Sequence, residues 1–238
     1  MKSREIIRTE DGSDTLYVPE LNECYHSIHG ALQESAHIFI RNGLDTCGGT
    51  NLRILEAGFG TGLNACLTLL RAAETGKRIV YHSFEKYPLS GEELSRLNYT
   101  NPAKEKNAGL FLRLHEAPWN EEVEISPGFH LHKHLADFSE AEFPPLFDLV
   151  YYDAFAPDVQ PHLWSEEILG RFCQALKPEG TFVTYCVKGT VKQTLRNLGL
   201  TVKRLPGPPG KREMLRATKI GIPQEKTPLP PPYDKNKA

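Results

Sequence analysis

Four carboxylates stand at the ends of four separate strand-like runs. Glu56 follows Ile54-Leu55, Glu85 follows Ile79–Phe84, Asp137 closes Phe129–Ala136, and Asp153 closes Phe147–Tyr152. A carboxylate accepts hydrogen bonds side by side, so it suits paired hydroxyls, an amine or a proton in transit. Directly after Glu56 the chain reads Ala57-Gly58-Phe59-Gly60-Thr61-Gly62-Leu63-Asn64. Glycines at alternate positions permit a sharp turn and a close approach of ligand to backbone. A helix that starts there presents unpaired amides to polar or anionic groups. Together these residues predict a nucleotide-type site. Glu85 is matched to the two hydroxyls of a ribose, and Asp137 to the exocyclic amine of an adenine.

Such a site needs a scaffold that brings distant strand ends together. Runs with strand character alternate with helical ones: strand 53–57, helix 61–74, strand 79–85, a helix opened by Pro88, helix 103–119, strand 129–137, strand 147–153, helix 164–176, strand 181–187, helix 191–198, and strands 200–205 and 213–218. This alternation predicts an α/β fold, a doubly wound and mostly parallel sheet with ligands at the C-terminal strand ends. Only Pro206-Gly207-Pro208-Pro209-Gly210 and two further residues separate the last two strands, so those strands should pair as an antiparallel hairpin. Ahead of the sheet, Asp11-Gly12 marks a hairpin over 4–18, and apolar spacing predicts a helix from Asn22 to Asn42. The polar residues Tyr25, His26, Ser27, His29 and Glu34 on that helix are placed to cover a ligand. The expected organisation is an N-terminal extension over 1–50, a core over 51–220 and a mobile tail rich in proline and lysine over 221–238.

The chain has 238 residues, 39% hydrophobic and 24% charged, as in a globular protein of one main domain. It shows no run of membrane-span length and no signal-peptide pattern, and a cytoplasmic protein is expected. Its five scattered cysteines, without a Cys-x-x-Cys pair, read as reduced thiols. From Lys188 to Lys219 there are nine basic residues and one acid, a net +8 in a chain of net −2. That asymmetry suits an anionic partner on a face carrying Lys188, Lys192, Arg196, Lys211 and Arg212, although solvated element faces give the same pattern. His130, His132 and His134 alternate on one strand face. Such spacing can ligate a metal, but an exposed strand face is the commoner origin, and no metal is expected.

Several motifs carry a closer resemblance. The glycines lack the sixth-position glycine of the dinucleotide oxidoreductases, an acid precedes them, and Leu176-Lys177-Pro178-Glu179-Gly180 leads into a strand and then a terminal hairpin. This resembles the class I S-adenosylmethionine-dependent methyltransferases and their seven-stranded sheet. Glu56–Asn64, Phe84-Glu85-Lys86-Tyr87-Pro88-Leu89, Asp153-Ala154-Phe155-Ala156-Pro157 continuing to Pro161-His162-Leu163-Trp164, and Gly210-Lys211-Arg212-Glu213-Met214-Leu215 are similar to the methyltransferase family that completes 5-methylaminomethyl-2-thiouridine in tRNA. The resemblance runs from about Arg4 to Lys219. It implies S-adenosylmethionine at Glu56, Gly58, Phe59, Gly60, Thr61, Gly62, Asn64, Glu85, Lys86, Asp137 and Asp153. It also implies Asp153 as the catalytic group, and Tyr25, Phe155, Pro157, Lys211 and Arg212 toward the substrate. Phe155 and Trp164 are candidates to stack a base. The family's flavin-dependent half has no counterpart, so neither flavin nor metal is implied. The implied reaction methylates the amine of 5-aminomethyl-uridine at the tRNA wobble position. The alternatives are methylation of a small-molecule amine and a non-catalytic cofactor- or RNA-binding partner of a separate oxidoreductase. The oligomeric state is left open, a monomer being compatible.

Overall fold

A computed structural model describes residues 3–99 and 104–221. The tail expectation therefore lies outside the described residues, as does the start of the helix expected from residue 103.

The central sheet has eight strands. In chain order they are β4 (Asn51–Ala57), β5 (Arg78–Glu85), β6 (Glu122–Ser126), β7 (Phe129–Leu135), β8 (Phe147–Tyr152), β9 (Leu176–Thr184), β10 (Leu200–Pro206) and β11 (Glu213–Lys219). The spatial order is β10-β11-β9-β8-β4-β5-β7-β6. β4, β5, β7, β8 and β9 are mutually parallel. β11 runs antiparallel between β9 and β10, as the short connection requires. These are the seven strands expected. The eighth, β6, was not foreseen: it is a short antiparallel edge strand beside β7, and its only strand signal is the five-residue alternation of Val123 and Ile125 with Glu122, Glu124 and Ser126.

The parallel strands are apolar on both faces because helices cover both. On one face Ile54, Tyr81, Leu131 and Tyr151 meet α2 (Leu63–Thr75) and α4 (Lys104–Glu116). On the other, Leu55, Val150, Tyr152 and Phe182 meet α5 (Glu166–Ala175) and α6 (Gly189–Asn197). Each fully buried side chain of this size contributes roughly 1.5–3 kcal/mol of transfer free energy. Between β5 and α4, the helix α3 (Gly91–Arg96) starts later than Pro88 suggested. Ser90 accepts from the Glu93 amide and Glu93 accepts from the Ser90 amide, so this capping box sets the boundary.

The N-terminal expectation needs correction. Residues 4–18 form β1 (Glu5–Arg8) and β2 (Asp14–Val18), but a third strand, β3 (Glu23–Cys24), joins them. Asn22–Gly30 is not helical. Asn22 takes a left-handed φ of 49° and Gly30 a φ of 143°, which break any helix there. The helix begins only at α1 (Ala31–Ser35) and continues as a π-helical turn over Ala36–Arg41, whose Ile38 and Phe39 are buried in the core. Tertiary pairing won over apolar periodicity: the Tyr25 amide donates to Leu16 O at 2.8 Å, and the His26 amide to Thr15 Oγ1 at 3.0 Å.

Candidate active site

A cavity of about 620 Å³ opens at the C-terminal ends of β4, β5, β7 and β8. Its floor is the glycine turn between β4 and α2. Gly58, Gly60 and Gly62 have φ of 88°, 53° and 72°, the left-handed region that only glycine enters without strain. Gly62 needs glycine for a second reason. A Cβ there would lie 2.7 Å from His115 Nε2 and 3.1 Å from the Phe59 ring. Gly62→Ala should therefore lower folding stability by at least about 1 kcal/mol, read from the urea midpoint.

Two residues that the sequence reading did not single out hold this turn from below. His115 Nε2 donates to Thr61 O at 3.1 Å. Burial takes His115 down to about 4, so the ring is neutral at pH 7 and its Nε2 carries the proton that makes this bond. Lys133, 1% exposed, donates to His115 O at 2.7 Å and places its ammonium over the rings of Trp119 and Phe59. Desolvation lowers its pKa to about 8. The signal was present in the sequence: Phe129, Leu131 and Lys133 share the buried face of β7, and a lysine stands where an apolar residue is expected.

Glu85 locks the turn to the next strand. One carboxylate oxygen accepts from the Gly60 amide at 2.9 Å, the other from the Tyr87 amide at 2.8 Å. Each oxygen keeps a second lone pair for a ligand. Asp137 accepts from Lys86 Nζ at 2.9 Å, from the Ser139 amide at 2.9 Å and from the Ser139 hydroxyl at 2.7 Å. Burial alone would raise its pKa, but the Ser139 hydroxyl, Lys86 and the Ser139 amide outweigh that and hold the carboxyl below its usual value. Glu56 is 1% exposed and does not line the cavity. It accepts from the Ser83 hydroxyl at 2.6 Å beneath the turn, and burial raises its pKa to about 8 against that bond. Its place in the strand sets this: it lies within β4, ahead of the first glycine.

Asp153 stands at the end of β8 and faces the cavity. Asn64, from the first turn of α2, donates to Asp153 Oδ2 at 2.9 Å. The other amide atom, Asn64 Oδ1, is buried without a hydrogen-bond partner among the described residues. Enclosure raises the Asp153 pKa to about 7. The Glu34 charge adds to the rise, while Asn64 and Lys211 oppose it.

The N-terminal segment and the terminal hairpin form the cavity's outer wall. Tyr25 crosses the glycine turn, so that a Cβ on Gly60 would lie 3.2 Å from its ring, and it meets Phe155 edge-to-face at 5.1 Å. Burial raises its hydroxyl to about 12, and the Glu85 charge adds to that. Lys211 does not lie on an outer basic face. Its ammonium pairs with Glu34 Oε1 at 2.5 Å and lies 4.1 Å from the centre of the Tyr185 ring, inside the cavity wall. The Gly210 turn that precedes it packs on the His29 ring. Arg212 is exposed, and neither it nor Pro157 lines the cavity. Trp164 is core: it is 7% exposed, donates to Phe155 O at 2.8 Å and packs on Tyr152. Glu34, Lys211 and Tyr185 meet across a separation in sequence that no local spacing reports.

The model of a family described as S-adenosyl-L-methionine-dependent methyltransferase matches residues 116–220. A protein of Leptospira borgpetersenii named tRNA 5-methylaminomethyl-2-thiouridine biosynthesis bifunctional protein MnmC is 34% identical over 226 residues, 86% of this chain and 35% of its own length. The protein of the same name from Chromohalobacter salexigens is 31% identical over 227 residues, 87% of this chain and 32% of its own. The chain thus spans about a third of the length of the curated relatives it matches. Among solved structures, MnmC2 of Aquifex aeolicus superposes with a TM-score of 0.74 at 28% identity, over 93% of this chain and 72% of that one. Spermidine synthase of Thermotoga maritima shares the fold, with a TM-score of 0.53 at 15% identity, over 93% of this chain and 70% of that one. Its sheet is of the class I type, and over residues 116–220 the chain is similar to the S-adenosyl-L-methionine-dependent methyltransferases.

Proposed function

We propose that this chain methylates the exocyclic amine of 5-aminomethyl-uridine, with or without 2-thiolation, at the wobble position of tRNA. One observation carries the reading. The Asn64–Asp153 bond joins the helix of the glycine turn to the carboxylate at the end of β8, so a methyl donor and a base share one cavity. The names of the relatives supply the substrate, and the residues present fit both molecules.

S-adenosyl-L-methionine, when bound, supplies an electrophilic methyl on a sulfonium. Glu85, with a lone pair free on each oxygen, is placed to hold the ribose hydroxyls. Asp137 and Lys86 stand beside the adenine end. The amides of the glycine turn and the unpartnered Asn64 Oδ1 suit the amino-acid end. A cavity of this volume lies within the range of small-ligand sites.

Asp153 orients the substrate amine by accepting one of its N–H bonds, and takes the proton that the nitrogen sheds once its new C–N bond has formed. A base with a pKa near 7 matches that task at neutral pH. Tyr25, Phe155 and Leu163 line the cavity with apolar surface, which limits water around the amine. Lys192, Arg196, Lys203, Arg204 and Arg212 offer charge to tRNA phosphates. Arg204 is paired with Glu213 at 3.2 Å, so its charge is partly spent within the protein.

Asp153 acts as the carboxylate, so kcat/KM should rise with pH through about 7 and then level off. Glu34 holds that pKa up, so Glu34→Gln should move the inflection to lower pH. Lys211→Met should move it to higher pH. A pH–rate series on the three proteins checks both signs. A substrate panel tests the reading as a whole. Methyl transfer should go to tRNA bearing 5-aminomethyl-uridine and not to free polyamines or amino sugars. Efficient transfer to the small amines, with none to tRNA, would favour a small-molecule methyltransferase.

A further inference from the structure

β5 and β7 turn apolar residues toward α2 and imidazoles toward the opposite face. The parallel register sets His82 of β5 directly beside His132 of β7, with His134 one step diagonal on the same face. The His132 and His134 rings stack, with centroids 3.9 Å apart and planes within 16°. His82 lies 5.3 Å from His132 and 5.4 Å from His134 by centroid. One ligand-capable nitrogen of each lies within 4.8 Å of the other two, and His82 Nδ1 is 3.1 Å from His134 Nε2. Only one proton can serve that N···N contact. The second nitrogen of His82, Nε2, is buried and has no hydrogen-bond partner among the described residues.

Three imidazoles held this close, on two hydrogen-bonded strands, form a donor set of one chemical type. Neutral imidazole suits divalent transition ions, and three such ligands with an open fourth position make a known coordination pattern for zinc. Magnesium and calcium take oxygen ligands instead. On the same face, Glu122 and Glu124 of β6 lie across from His132 and His130 in register, and Glu122 reaches His130 Nδ1 at 3.6 Å. These carboxylates favour a cation nearby and can receive the imidazole N–H left over after ligation.

We propose that His82, His132 and His134 form a binding site for a divalent transition-metal ion of the zinc type, which ties β5 to β7. The methyl transfer does not require the ion. Its effect reaches the active cavity through packing: the Phe84 ring stacks on His134 at 4.2 Å, lines the cavity, and directly precedes Glu85.

The test uses the full chain, treated with a chelator and dialysed. Titration calorimetry with Zn²⁺ alone should give one ion per chain, with no comparable heat from Mg²⁺. His82→Asn and His134→Gln should each weaken binding by at least about 10-fold. Zn²⁺ should raise the melting temperature of the parent chain more than that of either variant. Because a variant could fail to fold, the parent chain is also read directly. ¹⁵N-resolved imidazole spectra should move for His82, His132 and His134 and for no other histidine. Co²⁺ in place of zinc should give nitrogen-ligand d–d bands without a thiolate charge-transfer band. No saturable binding, binding unchanged in both folded variants, shifts at other histidines, or a thiolate band would each overturn the proposal.

Discussion

Asp153→Ala should lower turnover by about 10²- to 10⁴-fold while leaving S-adenosyl-L-methionine affinity nearly unchanged. The carboxylate lies in the cavity at the end of β8, and its one direct side-chain bond among the described residues is to Asn64. In the proposed reaction, alanine removes the group that orients the amine and accepts its proton. It leaves the glycine turn, Glu85 and the Asp137–Lys86 pair untouched. Loss should therefore appear in kcat, with little change in calorimetric binding of the cofactor. Asp153→Asn separates the two roles, because an amide still accepts a hydrogen bond but is not a base. If positioning alone mattered, Asp153→Asn would recover most of the rate. Full turnover in Asp153→Ala would remove Asp153 from the chemistry.

Glu85→Ala should act at the other end of the cavity and at the other step. Here the cofactor's dissociation constant should rise on the order of 100-fold, from the loss of charge-assisted bonds worth about 1.5–3 kcal/mol each. Two effects add. On the proposed assignment the ribose hydroxyls lose their acceptor, and the amides of Gly60 and Tyr87 lose the oxygens that hold the turn at 2.9 and 2.8 Å. Glu85→Gln keeps one carbonyl oxygen and should fall between the two. Calorimetry with S-adenosyl-L-methionine reads all three proteins. An unchanged affinity in Glu85→Ala would contradict the ribose assignment.

The parallel core could be read from the sequence because its signals are local. A buried parallel strand is a short apolar run, and a glycine turn declares itself by residue type. Glu85 and Asp153 were found as strand ends, and the short loop before β11 dictated its antiparallel pairing. Three things were hidden because they depend on pairing across the chain. Asn22–Gly30 has apolar spacing fit for a helix, yet pairing of Glu23–Cys24 with β2 and the His26 bond to Thr15 hold it non-helical over the cavity. Lys211 lies in a run of basic residues that reads as an outer face, but the buried Glu34 carboxylate draws its ammonium inward. Glu56 looks like a ligand-facing acid, and the strand geometry points it beneath the turn toward Ser83. His115 was missed for the same reason, since its partner lies on the glycine turn, whereas Lys133 did carry a local signal as a lysine on the buried face of β7.

The central claim is that one cavity, bounded by the glycine turn, Glu85 and Asp153, moves a methyl from S-adenosyl-L-methionine to the wobble-uridine amine. The most direct measurement incubates the purified chain with tRNA bearing 5-aminomethyl-uridine and methyl-deuterated S-adenosyl-L-methionine, followed by nucleoside mass spectrometry. The expected result is conversion of 5-aminomethyl-uridine to 5-methylaminomethyl-uridine with the deuterated methyl on the side-chain nitrogen, and no conversion by Asp153→Ala. Persistence of 5-aminomethyl-uridine with a functional cofactor site, or label at another position of the tRNA, would contradict it.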